Sequence, residues 1–302
     1  MRLRVVYLPR NGILSIKMNE SGFFMSNTIS RYRRVFVNYR RAIFNVFIRR
    51  YPFTAVLRHS KEDITISSPL EAYLYSEGLS DININHEKNV VSFRFLSREL
   101  HFLGGEKNGD VGASFGEYRS LSVSDRIVVD IGGSIGDTAV YFVLMGARRV
   151  ISLEPILETY RLAESNIEAN GCADKVEVIN AGCGGNNRKI FVGNNTNPTS
   201  SATLKEETNG IGLGNSIPIQ VLTLRDILEL HSIESAVLKM DCEGCEYETI
   251  MMSDCQTLNR FDQIQLEFHD GPRRLVRKLR SCGFQVKYSF GKIGYIFAVR
   301  RV

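Results

Sequence analysis

The fold is decided by the run Val128-Val129-Asp130-Ile131-Gly132-Gly133-Ser134-Ile135-Gly136, in which apolar residues give way to glycines. The apolar start predicts a buried strand, and the glycines predict a tight turn that opens a helix over 137–146. In an open α/β sheet, ligands bind at the carboxyl ends of the strands, which is where such a turn lies. The run therefore predicts a ligand-binding turn at one edge of a sheet.

A second acidic residue, Glu154, ends the next predicted strand, 149–153. A carboxylate in this position can accept hydrogen bonds from both hydroxyls of a ribose. A nicotinamide dinucleotide site would show G-x-G-x-x-G, whereas the order here is G-G-S-I-G with Asp130 before it. An acidic group there repels a pyrophosphate and suits the cationic amino acid end of S-adenosylmethionine. The two carboxylates therefore predict a pocket for S-adenosylmethionine; the alternative is a corner whose glycines serve only packing.

Charged side chains also follow two later predicted strands, 236–240 and 263–268. Charges at the end of a buried strand are costly unless they are paired or used. Methyl transfer to a hydroxyl needs a base that takes the proton, and close positioning of donor and acceptor. The alternative is a structural ion pair of Lys239 with a carboxylate and a loop cap at His269. The candidate catalytic residues are Asp241, Glu243, Glu267 and His269.

The N-terminal part of the chain is basic. Residues 1–60 hold twelve Lys or Arg and one acidic residue, a net charge of +11. Apolar residues at helical spacing predict one amphipathic helix over 30–50, ended by Pro52. Flanking arginines would let this helix lie on an anionic membrane surface, but an apolar stripe usually faces a core, and we favour that alternative. The stripe comprises Val35, Phe36, Tyr39, Ile43, Val46 and Phe47.

Changes of pattern along the chain predict three parts. A basic segment over 1–52 precedes a small β-rich module over 53–120, in which short runs alternate. From 121 to 302, strands alternate with helices, which predicts a doubly wound, mostly parallel α/β sheet that holds the pocket. Within it, the stretch 184–216 is rich in Gly, Asn, Ser and Thr and predicts a β-hairpin insertion or a mobile loop.

Several classes of protein are excluded by composition. No uncharged apolar run is long enough to span a bilayer, and charged residues interrupt the apolar start, so a secretion signal fits poorly. Six scattered cysteines predict reduced thiols in a cytoplasmic protein, at most peripheral at the inner membrane surface. Cys242 and Cys245 form one C-x-x-C pair, which is incomplete for zinc, so no metal site is predicted; a disulfide between them is the preferred special case.

Six stretches together resemble the FkbM-type methyltransferases, S-adenosylmethionine-dependent enzymes of the Rossmann-like class. The resemblance covers roughly 127–297, and the D-x-E-G at Asp241, Glu243 and Gly244 makes it more specific than the glycine turn alone. The stretches are VVDIGGSIGDTAVYF (128–142), VISLEP (150–155), NIEANG (166–171), VEVINAGCGG (176–185), VLTLRDIL (221–228) and LKMDCEGCEYE (238–248).

The resemblance implies a seven-stranded sheet whose last strand is antiparallel, and O-methylation of sugar or polyketide-type hydroxyls. Gly133 and Ser134 stand where many relatives have Ala-Asn, which keeps the turn small and polar. The first 120 residues match the family core poorly, so acceptor choice is expected to reside there and in the 184–216 insertion. The implied donor-binding residues are Asp130, Gly132, Gly133, Gly136 and Glu154, with Asn180 near the adenine.

The leading hypothesis is a methyltransferase that uses S-adenosylmethionine to methylate a hydroxyl of a glycan or other small molecule. An RNA methyltransferase that uses the basic arm ranks lower, because the arm lacks the interleaved aromatic residues of a base-stacking platform. A non-catalytic nucleoside-binding domain is the third alternative. Nucleic acid is therefore disfavoured as a partner, and the oligomeric state stays open.

Overall fold

The computed structural model describes residues 22–106, 111–112, 114–193 and 216–301. The chain divides into two compact units, Met1–Gly116 and Glu117–Val302. The turn, both acidic strand ends and all candidate catalytic residues belong to the second unit. Among the described residues, no helix combines the length and the apolarity that crossing a bilayer requires.

The described part of the first unit starts with two helices, α1 (Gly22–Val35) and α2 (Tyr39–Phe47), so the prediction of one helix over 30–50 is wrong. The chain leaves the helical path because its backbone pairs with a strand, β1 (Phe53–Val56). Phe36 forms a bridge with Leu57, and the Val37 amide donates to the Val56 carbonyl at 2.8 Å. A long-range pairing of this kind outweighs local helical spacing.

One hydrophobic core holds the two helices and the following β-hairpin together. Phe36 and Ala42 from the helical part pack in the same buried cluster as Ala55 and Ile66 from the hairpin. The predicted boundary at residue 52 therefore falls inside a shared core. The further elements of this unit are β2 (Asp63–Ile66), paired with β1; α3 (Pro69–Ser76); the antiparallel strands β3 (Ser80–Asn85), β4 (Val90–Phe95) and β5 (Arg98–Leu103); and α4 (Ser114–Glu117) at its end.

The second unit alternates strands and helices, as the sequence predicts. Its elements are β6 (Ile127–Ile131), α5 (Asp137–Leu144), β7 (Arg149–Leu153), α6 (Leu157–Ala169), β8 (Val176–Ile179), β9 (Ala181–Cys183), β10 (Arg188–Gly193), β11 (Ser216–Leu222), α7 (Leu224–Leu230), β12 (Ala236–Met240), α8 (Cys245–Met252), α9 (Cys255–Leu258), β13 (Phe261–Phe268), α10 (Arg273–Ser281), β14 (Phe284–Tyr288) and β15 (Gly294–Arg300).

Seven of these strands form one sheet in the order β14-β15-β13-β12-β6-β7-β8. The pairs from β13 to β8 are parallel, and β15 is antiparallel to both of its neighbours. The Rossmann-like, mostly parallel seven-stranded sheet with an antiparallel last strand is thus confirmed. The order reverses at β6, because the chain first moves outward through β7 and later returns to β6 with β12. Ligands of such sheets bind at this switch point, outside the carboxyl ends.

Register across the switch point places four polar side chains in one row. Lys239 of β12 lies opposite Asp130 of β6 on one side and Gln265 of β13 on the other. Ser152 of β7 continues the row beyond Asp130. The row lies next to the carboxyl ends of the strands, directly beneath the predicted ligand site.

The insertion after β9 is a hairpin at its base. β10 and β11 pair antiparallel, and β11 also pairs in parallel with β9, which gives a separate three-stranded sheet. The alternative of a β-hairpin insertion is thus observed for these two strands. The connecting residues 194–215 lie outside the described residues.

The expectation of six reduced thiols is wrong, because the structure joins Cys242 to Cys245 and Cys255 to Cys282. The first is the disulfide named as the special case. The second links the start of α9 to the end of α10 across 27 positions, with Cα atoms 5.0 Å apart. Such a distance is within the range of a disulfide, and only folding brings these residues together.

Candidate active site

A pocket opens at the carboxyl ends of β6, β7 and β12. Four of the ten predicted site residues line it: Gly132, Glu154, Asp241 and Glu243. One wall is apolar, formed by Ile131, Leu153, Ile156, Ile190 and Val221. Sequence analysis missed the ion pair on the wall, in which Arg188 donates to Glu248 at 2.7 and 2.9 Å. The pocket thus combines an apolar wall with a carboxylate-rich mouth, the composition that small-molecule sites favour.

The glycine turn is required by close packing as much as by the pocket. Gly132 has φ +79°, and a Cβ there would lie 2.0 Å from the carbonyl oxygen of Asp241. A Cβ on Gly133 would lie 2.0 Å from Ser152 Oγ, and one on Gly136 would lie 3.1 Å from the Ala163 backbone. Only the first of these three glycines borders the pocket. The other two let the turn and α5 sit against their neighbours.

Glu154 holds the turn through two backbone amides. Ser134 N donates to Glu154 Oε2 at 3.0 Å, and Ile156 N donates to Oε1 at 2.9 Å. The residue is only 7% exposed. Burial raises the pKa of Glu154 to about 7, although the amides of Ile156 and Ser134 and the charge of Lys239 act in the opposite direction. The carboxylate is therefore a fixed acceptor whose charge depends on pH near neutrality.

Asp130 lies beneath the turn and does not line the pocket. Its Oδ1 is 2.9 Å from Lys239 Nζ, and its Oδ2 accepts hydrogen bonds from Thr138 Oγ1 at 2.6 Å and Ser152 Oγ at 3.1 Å. The residue is completely buried. The geometry therefore gives Asp130 a positioning role beneath the turn, and its contact with the donor's amino acid end stays a prediction.

Lys239 connects β12 to the turn. Its Nζ donates to the carbonyl of Gly132 at 2.6 Å and lies 5.7 Å from the centre of the Tyr118 ring. Burial lowers the pKa of Lys239, but the carboxylates of Asp130, Asp241 and Asp137 together raise it, and the net direction is upward. Lys239 thus stays charged, as in the structural ion pair considered from the sequence.

Asn180 is placed beside the pocket and outside its lining. Its Nδ2 donates to the carbonyls of Glu154 and Pro155 at 3.0 and 3.1 Å. Asn180 therefore orders the segment that follows β7, and the adenine contact implied by the family resemblance stays a prediction.

The four predicted catalytic residues meet in one cluster on the β12–β13 side. One ligand atom from each of Asp241, Glu267 and His269 lies within 4.8 Å of the other two. Glu243 Oε2 approaches His269 Nε2 at 3.2 Å. Asp241 also lines the pocket, so it connects the two parts of the site. The sequence predicted no metal here, whereas these distances suit one.

Sequence analysis missed Glu246, which holds His269. The Nδ1 atom of His269 is 2.9 Å from Glu246 Oε1, and Glu246 is completely buried. Burial lowers the pKa of His269, but Glu246, through its hydrogen bond and charge, raises it, with Glu243 and Asp241 adding to the upward shift. The sequence signal that could have identified Glu246 is its place as the third acidic residue of D-x-E-G-x-E. In the structure it lies in the first turn of α8.

The fold and this site define a Rossmann-like α/β protein with a pocket at its topological switch point. The family described as methyltransferase FkbM domain matches residues 110–286. Because the match covers more than half of the chain, the protein belongs to the FkbM methyltransferase family.

Three solved structures show what this chain is similar to at low sequence identity. Methyltransferase FkbM from Methylobacillus flagellatus KT is 17% identical, with a TM-score of 0.43, over 61% of this chain and 47% of that one. Precorrin-6y C5,15-methyltransferase from Geobacter metallireducens GS-15 is 14% identical, with a TM-score of 0.36, over 62% and 89%. Ribosomal protein L11 methylase from Lactobacillus delbrueckii subsp. bulgaricus is 14% identical, with a TM-score of 0.37, over 66% and 82%. This chain spans about half the length of the first, and curated proteins give no match.

Proposed function

We propose that this protein transfers a methyl group from S-adenosylmethionine to a hydroxyl of a sugar or other small molecule. The observation that carries the proposal is the position of Glu154, a fixed carboxylate that lines the pocket at the end of β7, next to the turn at Gly132. Membership of a methyltransferase family supports the reaction class.

The pocket suits each part of the donor. The Glu154 carboxylate would accept hydrogen bonds from the ribose hydroxyls, since its oxygens have lone pairs beyond those used by the two amides. The apolar wall, with Ile156 and Val221, suits an adenine ring. Asp241 and Glu243 at the mouth suit the positive charges of the sulfonium and amino groups. When bound there, the donor supplies an electrophilic methyl group.

The acceptor would be positioned by the carboxylates on the β12–β13 side. Asp241 both lines the pocket and belongs to the cluster with Glu267 and His269, so the hydroxyl proton has acceptors close to the donor. Asp130 and Lys239 keep the turn in place below. These positions support transfer to oxygen, which requires removal of a proton as the new bond forms.

The test is calorimetric titration of S-adenosylmethionine into the wild-type protein and Glu154→Gln. The loss of a charged acceptor should weaken binding by about tenfold or more, the effect of about 1.4 kcal/mol. Glu168→Gln is the matched control, because Glu168 is an exposed carboxylate of α6. Absence of binding by the wild type, or equal binding by Glu154→Gln, would argue against the proposal.

The acceptor class is tested by transfer of labelled methyl groups into a cell extract. We expect label in the glycan or small-molecule fraction, on an ether oxygen. Label in RNA would show that the acceptor is RNA and not a small molecule, while S-adenosylmethionine would still be the donor. No enzymatic label at all, in a protein that binds the donor, would favour the non-catalytic nucleoside-binding alternative.

A further inference from the structure

We propose that Asp241, Glu267 and His269 bind a divalent metal ion at the acceptor side of the pocket. The role of this ion in the reaction rests on the proposed function, but the site itself is defined by residues of this chain. One ligand atom from each of the three residues lies within 4.8 Å of the other two, a separation that a single ion can bridge.

The sheet holds the three residues together by its register. Met240 and Leu266 are paired neighbours in the parallel strands β12 and β13, so Asp241 and Glu267 follow at the same level. His269 comes two residues after Glu267, directly after the end of β13. Rigid strand ends supply the ligands, as expected of a preorganised metal site.

Several buried polar atoms without a hydrogen-bond partner belong to the cluster of Asp241, Glu267 and His269 or to residues bound to it or near it in sequence. Such buried atoms are rare in proteins, and an ion or ordered water commonly explains them. Two of the side chains concerned, Glu246 and Gln265, are 0% and 5% exposed. Within the described part of the chain, such atoms include Asp241 Oδ1 and His269 Nε2 of the cluster, Glu246 Oε2 of the residue bound to His269, and Gln265 Oε1 on β13.

The charge around the cluster points to a cation. Four carboxylates, those of Asp241, Glu243, Glu246 and Glu267, surround a single imidazole. Lys239 is already engaged with Asp130 at 2.9 Å. The combined negative charge of these acidic side chains would attract a divalent ion placed among them.

His269 is already oriented as a metal ligand. Its Nδ1 is bound to the buried Glu246 at 2.9 Å, and its Nε2 faces the carboxylates of the cluster, 3.2 Å from Glu243 Oε2. A carboxylate behind the histidine is the usual arrangement around protein-bound metals, where it fixes the ring and increases its basicity. Glu246 is therefore assigned as a positioning residue.

Two carboxylates and one imidazole suit an oxygen-preferring ion of the Mn²⁺ or Mg²⁺ class. Bound beside Asp241, such an ion would hold the acceptor hydroxyl and favour loss of its proton to a carboxylate of the cluster. The oxygen then forms the new bond to the methyl carbon, while the methyl–sulfur bond breaks and the sulfur keeps the electron pair. The atoms and charges of the transfer balance without a further reactant.

The experiment is a Mn²⁺ titration of the full chain, followed by electron paramagnetic resonance. We expect one bound ion per chain at concentrations below about 1 mM. Glu246→Gln should weaken binding by about tenfold to a hundredfold, and His269→Ala should remove it. Glu168→Gln, an exposed carboxylate on α6, should bind as the wild type does.

A second measurement avoids dependence on the variants. In the wild-type protein, electron spin echo modulation of the bound Mn²⁺ should show a directly coordinated imidazole nitrogen. No stoichiometric Mn²⁺ binding up to about 1 mM, or binding without the nitrogen signal, overturns the metal site. Donor titration separates the two proposals: intact S-adenosylmethionine binding without Mn²⁺ binding refutes only the metal, whereas Mn²⁺ binding without donor binding refutes only the proposed function.

Discussion

Single residues at the pocket act through the groups they hold as much as through those they present. Asp130 illustrates this, because its carboxylate is used by Lys239, Thr138 and Ser152. Glu154 combines both roles, since it fixes two amides and also borders the pocket. The consequence is that pocket chemistry and local stability are linked at the same side chains.

Glu154 should make donor binding depend on pH. Its pKa is raised to about 7, so the carboxylate that accepts ribose hydroxyls is lost as the pH falls below that value. We expect the affinity for S-adenosylmethionine to fall toward tenfold per pH unit below pH 7 and to be constant well above it. Calorimetry from about pH 5.5 to about pH 8.5 measures this dependence of affinity on pH.

The raised pKa of Glu154 also makes the stability of the fold depend on pH. Because the folded protein favours protonated Glu154, this group stabilises the fold below its ordinary pKa of 4.5, and that contribution is lost as the pH rises toward about 7. Glu154→Gln should abolish the dependence of donor affinity on pH near 7. Any pH dependence that arises from other groups should remain. A wild-type affinity that does not vary across pH 7 would contradict the assignment of Glu154 as the ribose acceptor.

Gly132 offers a second test, with Gly283 as its matched control. Both have positive φ, +79° and +93°, but a Cβ would meet the Asp241 carbonyl at 2.0 Å in the first case and nothing within 4 Å in the second. Gly283→Ala should cost about 1–2 kcal/mol of backbone strain. Gly132→Ala should cost about 1–3 kcal/mol more, because neighbouring backbone must move, and it should also impair donor binding.

Chemical denaturation measures the free energy of unfolding of both variants, whose substitutions lie in the same compact unit of the chain. Circular dichroism before denaturation confirms that each variant is folded. Equal losses of stability for the two alanine variants would mean that the close approach of the turn to β12 is not a tight constraint.

At the scale of elements, α2 has two apolar faces. Tyr39, Ile43 and Val46 of the predicted stripe pack against the core of the first unit, as the favoured alternative expected. Phe44 and Phe47 lie on another face and are 59% and 53% exposed. Inward packing is thus observed for three members of the stripe in α2, whereas Phe47, a further member, faces outward with Phe44.

We expect this outward face to bind an anionic membrane surface. Arg40 and Arg41 are three or four positions from Phe44, so the helix places positive charges and an exposed aromatic ring side by side. Aromatic rings enter the interfacial layer while arginines meet lipid phosphates. Co-sedimentation with vesicles of phosphatidylcholine and phosphatidylglycerol should therefore retain the full chain, and salt should weaken the binding.

Phe44→Ser together with Phe47→Ser should weaken vesicle binding by about tenfold or more, since each buried ring contributes about 1.5–3 kcal/mol. Leu230→Ser is the control, because Leu230 is 68% exposed and lies in the other unit. Equal binding by vesicles with and without anionic lipid would rule out the electrostatic part of this prediction. Unchanged binding by the double variant would rule out the apolar part.

At the scale of the whole molecule, strand order decides which residues become neighbours. β12 enters the sheet beside β6 although more than a hundred residues separate them in the chain, and this brings Lys239 to Asp130. The sequence showed that both residues end strands, but not that they pair with each other. The stretch 238–248 also contains Glu246, but the sequence did not show that α8 presents this residue to His269.

The sequence by itself determined the alternation of strands and helices in the second unit, the glycine turn and the acidic strand ends, because apolar periodicity and backbone preferences act over a few neighbouring residues. Only the tertiary structure decided that Asp130 supports the turn while Glu154 and Asp241 border the pocket, that Phe36 interrupts a helix, and that Cys255 meets Cys282. Burial, ion pairing and strand pairing depend on residues distant in the chain, and these interactions exist only once the sheet has formed.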